Sequence, residues 1–93
     1  MLGLSATDDA KAALRALKES NRDLFDVISE RIGKLRDDPE QKDQGRAFRL
    51  DDGRTAHLAT FYDAADRRDL ALVWVIEDIA GGVLRILTLE EPK

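Results

Sequence analysis

The chain has 93 residues and a mass of 10.4 kDa, which predicts one domain, residues 1–93, with a modest hydrophobic core. Its 15 basic and 19 acidic residues give a net charge of −4, which argues against a protein that binds nucleic acid through its overall charge. The absence of Cys excludes a disulfide scaffold, a thiolate nucleophile and any Cys-ligated metal.

Two amphipathic helices are predicted in the first half of the chain. The first runs from about Asp8 to Lys18, with Thr7 as its N-cap, because acidic residues follow the threonine and apolar residues recur at helical spacing. The second runs from about Asn21 to Arg36, with Ser20 as its N-cap. So short a connection predicts that the two helices form an antiparallel hairpin. Residues 37–46, after the hairpin, are predicted to be a polar loop.

A sheet is predicted in the second half of the chain. Asp52-Gly53 and Gly81-Gly82 are turn dipeptides, and the segments after them alternate between the two faces of a strand. Between these segments lies an apolar run that is typical of a central strand covered on both faces. The strands are Thr55 to Tyr62, Leu70 to Ile76 and Val83 to Leu89, with shorter ones possible at Ala47 to Leu50 and, at an edge, at Leu2 to Ala6.

The predicted architecture is a two-layer α+β fold. A three- to four-stranded antiparallel sheet presents one apolar face, and the N-terminal helix hairpin packs on it. The longest apolar run is far shorter than the roughly 20 residues that span a bilayer, and the first ten residues lack the basic start of a signal peptide. We therefore expect a cytoplasmic protein without a membrane contact.

Few residues are candidates for chemistry. His57 is the only histidine, so it has no second imidazole with which to hold a metal, and no metal site or cofactor is expected. It is either a solvated strand residue or, at neutral pH, a proton-transfer group. Arg46, Arg49 and Arg54 form the most basic stretch, which nearby aspartates almost neutralise.

Two further residues are candidates for binding. Trp74 is expected in the core, with the edge of a partner groove as the alternative. Arg85 lies in the middle of a strand, where it either points to solvent or pairs with an acidic residue of the neighbouring strand; we favour the pair. Arg67-Arg68, flanked by aspartates, is interpreted as a solvated loop.

Four segments together resemble the RelE/ParE superfamily of bacterial toxins, the toxic halves of toxin–antitoxin pairs. In that family a short first strand leads into a helix hairpin that ends in a Leu-x-x-Asp-Pro pattern, and a basic turn and further strands follow. The resemblance implies a partner antitoxin; RelE-type members also cut mRNA on the ribosome without a metal, and ParE-type members bind DNA gyrase. The segments are DDAKAALRAL (8–17), DLFDVISERIGKLRDDPE (23–40), RAFRLDDG (46–53) and LALVWVIEDIAGGVLRILTL (70–89).

The positions that match the family's catalytic basic residues are mostly not basic in this chain. His57 and Ala59 occupy two of them, Ala71 a third, and the last strand ends in Glu90-Glu91. We therefore expect a toxin-family protein that acts mainly by binding an antitoxin, with ribonuclease activity weak or absent. The alternatives are a ribosome-dependent nuclease that uses His57 with nearby arginines, and a related domain that serves as a scaffold or gyrase binder.

Overall fold

A computed structural model describes residues 2–38, 46–77 and 82–91 of the chain. The predicted loop at 37–46 and the Gly81-Gly82 turn therefore lie largely outside the described residues. The described elements in chain order are β1 (Gly3–Ala6), α1 (Asp8–Ser20), α2 (Arg22–Asp37), β2 (Arg46–Arg49), β3 (Thr55–Asp63), β4 (Arg68–Glu77) and β5 (Val83–Glu90).

The strands form one five-stranded sheet in the order β1-β5-β4-β3-β2. Strands β2 to β5 make the predicted antiparallel meander, but β1 pairs parallel to β5, so the prediction of a purely antiparallel sheet of three or four strands is wrong. Alternation within β1 indicates a strand but not its direction. The direction follows from the helix hairpin, because the Leu2 amide donates to the Arg36 carbonyl at the end of α2 (3.0 Å).

Short polar side chains fix the ends of both helices. Thr7 caps α1 as predicted: its hydroxyl oxygen accepts from the Ala10 amide and donates to the Leu87 carbonyl, which ties α1 to β5. The predicted Ser20 cap is wrong, because α1 continues through Ser20 and the N-cap of α2 is Asn21. Asn21 Oδ1 accepts a hydrogen bond from the Leu24 backbone amide at 3.2 Å. The backbone amide of Asn21 donates to the Leu17 carbonyl and ends α1.

Both helices bury their apolar stripes against the same face of the sheet, which we call the helix face. Within the core cluster, side chains of α1 and α2 contact alternate residues of β4 and β5. No described helix covers the other side, which we call the open face; Phe48 and Val75 are on it. The buried members of this core cluster are Leu2, Ala10, Leu17, Leu24, Ile28, Ile32, Leu35, Leu70, Leu72, Trp74, Leu84, Ile86 and Leu89.

Strand β4 has the central position that its composition predicted. It lies between β3 and β5, and five of its residues, Leu70, Ala71, Leu72, Trp74 and Val75, are buried. A strand buried on both faces needs apolar residues at successive positions rather than alternate ones. The uninterrupted apolar run is therefore explained by the place of β4 in the sheet.

A buried carboxylate joins the two layers. Asp63, at the end of β3, has no solvent exposure. One carboxylate oxygen, Oδ1, accepts from the Asn21 side-chain amide at 2.9 Å and from the Ala65 amide at 3.2 Å, and Oδ2 accepts from Arg68 Nε at 3.3 Å. We call these side chains, Asp63, Asn21 and Arg68, the Asp63 cluster. The hydrogen bond from Asn21 lowers the pKa of Asp63 below its ordinary range, and that from Arg68 adds to the effect.

We expect Asp63→Asn to lower the midpoint of thermal unfolding by more than about 5 °C. The amide oxygen keeps the bonds made by Oδ1, but the new NH2 group faces the donor Arg68 Nε, so the ion pair is lost and the buried NH2 group lacks an acceptor there. Asp66→Asn is the matched control, because the exposed Asp66 only approaches Arg68 at 3.5 Å. Equal melting of the two variants by circular dichroism would contradict the assignment.

The dependence of folding stability on pH in the acidic range gives a second test of the Asp63 cluster. The pKa of Asp63 in the folded protein is lower than its usual value of 3.8. The stability that the ionised Asp63 contributes is therefore fully present above pH 3.8 and is lost as the pH falls through the folded pKa. Below about pH 4 the wild type should therefore lose stability more steeply than Asp63→Asn, which has no carboxylate at this position.

Candidate functional site

The structure places the predicted site residues on different sides of the sheet. His57 pairs with Ala47 and Trp74 and lies on the helix face, whereas Arg46 pairs with Leu58 and lies on the open face. Arg54, next to Thr55 at the start of β3, extends over the open face to Glu77. His57 therefore does not converge with Arg46 or Arg54 in one concave patch, as the nuclease alternative requires.

The remaining predicted residues are also dispersed. Arg49 pairs with Thr55, on the helix-face side of the exposed edge strand β2. Arg85 lies on the open face and pairs with Glu77 of β4, which confirms the predicted cross-strand ion pair. Arg67 is an exposed turn residue as expected, but Arg68 begins β4 and belongs to the Asp63 cluster, so the interpretation of both as a solvated loop is wrong for Arg68.

His57 has the surroundings of a core residue rather than of a catalytic base. Its ring stacks on that of Trp74, with centroids 5.8 Å apart and planes 22° from parallel. Desolvation by this burial lowers the pKa of His57. Neither His57 Nδ1 nor Trp74 Nε1 has a hydrogen-bond partner among the described residues. Burial therefore favours the neutral imidazole, which lies on the helix face.

Trp74 is fully buried, so the expectation of a core tryptophan is confirmed and its side chain offers no surface to a partner in this conformation. It belongs to the core cluster on the helix face, and His57 stacks on it from the neighbouring strand β3. The pair stabilises the helix face and separates the only imidazole from the open face.

The open face carries charges that neutralise each other. Arg54 Nε lies 2.7 Å from Asp52 Oδ2, and Arg54 Nη1 lies 3.2 Å from Glu77 Oε1, which Arg85 Nε also approaches at 3.3 Å. We call Asp52, Arg54, Glu77 and Arg85 the open-face ion cluster. Hydrogen bonds from the backbone and side chain of Arg54 lower the pKa of Asp52. Two cations therefore face two anions, and little positive potential remains there for a polyanion.

The described part of the chain contains neither a candidate metal centre nor a helix that could span a membrane. Residues 2–38, 46–77 and 82–91 contain no group of three or more His, Asp or Glu side chains arranged to hold a metal. Neither described helix has the length and apolar character that crossing a bilayer requires.

A groove on the outside of the helix hairpin was missed by the sequence analysis. It has a volume of about 460 Å³, and α1, α2 and the exposed Leu4 of β1 form its walls. Apolar side chains alternate with cations, and no acidic residue lines it. We call it the hairpin groove. Its apolar residues are Leu4, Leu14, Phe25 and Ile32, and its cations are Lys11, Arg15, Lys18 and Arg36.

The cations of the hairpin groove differ from Arg54, Arg68 and Arg85 of the sheet, because they have no acidic partner among the described residues. Lys11, Arg15 and Lys18 make no ion pair with a described carboxylate, and Arg36 donates Nε to the Leu2 carbonyl at 2.9 Å. Lys18 instead lies over the Phe25 ring at 5.7 Å. The spacing of residues 11, 15 and 18 was the available signal, because i, i+4 and i+7 place three cations on one side of α1.

We expect the stability of the wild type to fall as the pH is lowered from about 7.5 to about 5.5, because the unfolded chain binds a proton at His57 that the folded chain resists. The pKa of His57 in the folded protein is lower than the usual 6.5. The stability that the neutral imidazole contributes is therefore fully present above pH 6.5 and declines as the pH falls below it. His57→Phe keeps the stack on Trp74 and removes the titration. Urea midpoints that follow the same pH curve in both proteins would contradict this assignment.

Comparison of the chain with protein-family models, with curated proteins and with solved structures found no match. The α+β fold, with two helices on one face of a five-stranded mixed sheet, is established by the described elements themselves. The surfaces and groups that bear on function are the hairpin groove, the open-face ion cluster and the half-buried His57.

Proposed function

We propose that this chain is a RelE/ParE-like domain that acts mainly by binding a protein of the antitoxin type, and that the hairpin groove takes an acidic amphipathic helix of that partner. The observation that carries the proposal is the composition of the groove: four cations surround an apolar floor, and no carboxylate lines it. Both toxin and antitoxin act in the cytoplasm, so the proposal includes that location.

The order of the elements supports the resemblance on which the proposal rests. A short strand precedes a two-helix hairpin, and an antiparallel meander follows, as the resemblance implies. Only the residue Asn21 separates the helices, and Lys18 of α1 lies over Phe25 of α2, as expected for a hairpin. These features concern the fold, and the choice of partner rests on the groove.

Charge argues for an acidic occupant. The chain carries a net charge of −4, so an acidic partner is repelled by the molecule as a whole and must be attracted by a local patch. In the groove, Lys11 and Arg15 are like charges four residues apart, which mildly destabilises the isolated helix. An acidic side chain between them relieves that repulsion and makes the pairs that the chain itself does not supply.

Shape argues for a helix with one apolar side. Leu14 and Phe25 line the floor of the groove, beside a row of three cations on α1, and Arg36 of α2 is the fourth cation. An amphipathic helix lays its apolar side chains into such a groove at positions i, i+3, i+4 and i+7, and its acidic flanks reach the rims. An extended segment of the same partner has a second place to bind, the exposed edge of β2, where Arg46 and Arg49 also favour acidic residues.

The positions of His57 and the ion cluster argue against the nuclease alternative. An imidazole that stacks on the core tryptophan does not reach a ligand on the open face, where Arg54 and Arg85 are already paired. We therefore propose a binding role without mRNA cleavage. A ribosome-dependent cleavage assay tests this part: cutting by the wild type that His57→Ala abolishes would overturn it.

We expect Arg15→Glu to weaken binding to the product of a neighbouring small reading frame by about tenfold or more, because a repulsive pair replaces an attractive one in the groove. Arg67→Glu is the matched control, since it makes the same charge change on an exposed turn. The measurement is calorimetric titration of the purified partner at two salt concentrations, and the wild type should lose more affinity on salt addition than Arg15→Glu.

Three outcomes contradict the proposal. They are the absence of a co-purifying partner from such a reading frame, equal affinities of Arg15→Glu and Arg67→Glu, and a basic partner segment in the groove. Induction of the chain alone should arrest growth, and co-expression of the partner should relieve the arrest. Unimpaired growth would favour an inert scaffold domain instead.

A further inference from the structure

The open-face ion cluster has the geometry of an anion receptor. Arg54 Nη1 and Arg85 Nε lie 3.2 and 3.3 Å from the same carboxylate oxygen, Glu77 Oε1, and Arg85 Nη2 lies 3.5 Å from Oε2. The arginines come from two sides of β4, because Arg54 precedes β3 and Arg85 belongs to β5. The Glu77 carboxylate thus occupies the point at which two guanidinium groups converge.

The carboxylate does not use every donor that faces it. Arg85 Nε is buried and makes no hydrogen bond within the described part of the chain, although it lies within ion-pair distance of Glu77. An N–H group without an aligned acceptor is costly where water is excluded. The geometry therefore provides one more donor than the planar carboxylate satisfies.

The sheet holds these groups in place and leaves them accessible. Arg85 pairs with Val75 and Glu77 with Val83 in the regular part of the β4–β5 ladder, which fixes both backbones. The side chains of Arg54, Glu77 and Arg85 are 46%, 37% and 42% exposed. A solute can reach the arginines, and the Glu77 side chain has solvent into which it can rotate.

We infer that Arg54 and Arg85 form an anion site that Glu77 fills from within the same chain, and that its external ligand is a terminal phosphate group in the dianionic form. This inference is independent of the hairpin groove. The Glu77 carboxylate competes with external anions for the two arginines. Only a ligand with more negative charge and more acceptor oxygens than a carboxylate displaces it.

Charge and acceptor geometry select the ligand class. A phosphodiester carries one negative charge, as Glu77 does, so it gains nothing by displacing the carboxylate. A terminal phosphate carries about −1.5 to −2 at pH 7 and offers three acceptor oxygens. Asp52 holds Arg54 Nε at 2.7 Å, so Arg54 offers its Nη1 group to the phosphate, while Arg85 offers both Nε and Nη2, of which Nε has no aligned acceptor.

The test is Glu77→Gln with pyrophosphate as the probe. Glutamine preserves the size of the side chain and removes the competing charge, so we expect pyrophosphate to bind at least about tenfold more tightly than to the wild type in low-salt calorimetry. Glu19→Gln is the matched control: it removes one negative charge from an exposed position of α1 that makes no ion pair with described residues. A thermal melt verifies that both variants are folded.

Two further binding measurements test where the anion binds and which class of phosphate the site prefers. Glu77→Gln/Arg85→Gln should lose the gained affinity, and dimethyl phosphate, a diester, should bind Glu77→Gln far more weakly than pyrophosphate does. In the wild type, pyrophosphate should first shift the NMR signals of the Arg54 and Arg85 side-chain N–H groups. The inference is overturned if Glu77→Gln binds pyrophosphate no better than Glu19→Gln, if the double variant retains the gain, or if the diester binds equally well.

Discussion

The fold depends on how the helix hairpin is attached to the sheet, and Asp63 makes that attachment. It is the one charged side chain that is buried among the described residues, and it accepts from Asn21, the residue between the two helices. Asn21 also caps α2 through its side chain and ends α1 through its backbone amide, so the carboxylate is tied to the residue at which the two helices meet. A buried carboxylate is tolerated here because three donors compensate its desolvation.

That attachment determines which surfaces the molecule exposes. With both helices on one side of the sheet, Trp74 is enclosed between the layers with the half-buried His57 stacked on it, and the arginines of the open face lie on the opposite side. Residues that are near in sequence are thereby separated: His57 and Arg54 are three positions apart, yet they face different sides. Strand alternation causes this separation, because Thr55 and His57 lie on one face of β3 and Arg54, just before the strand, extends over the other.

Two sets of cations then have different roles. Three arginines on the sheet, Arg54, Arg85 and Arg68, are paired within the chain, the first two with Glu77 and the third with Asp63, and they hold strands together. Those in the hairpin groove have no acidic partner among the described residues and line an apolar floor. The groove is consequently a local cationic patch, although the whole chain is acidic. An acidic chain can therefore present a cationic binding surface without becoming a general polyanion binder.

The sequence by itself determined the elements, because apolar periodicity, the Thr7 cap and the Asp52-Gly53 turn are local signals. It also determined the central place of β4, since an uninterrupted apolar run needs cover on both faces. It could not give the direction of β1, the cap at Asn21 or the separation of His57 from the arginines, because each depends on how distant segments pair. Only the tertiary structure decided which cations share a carboxylate and which remain unpaired, since an ion pair between strands requires a register that no single segment contains.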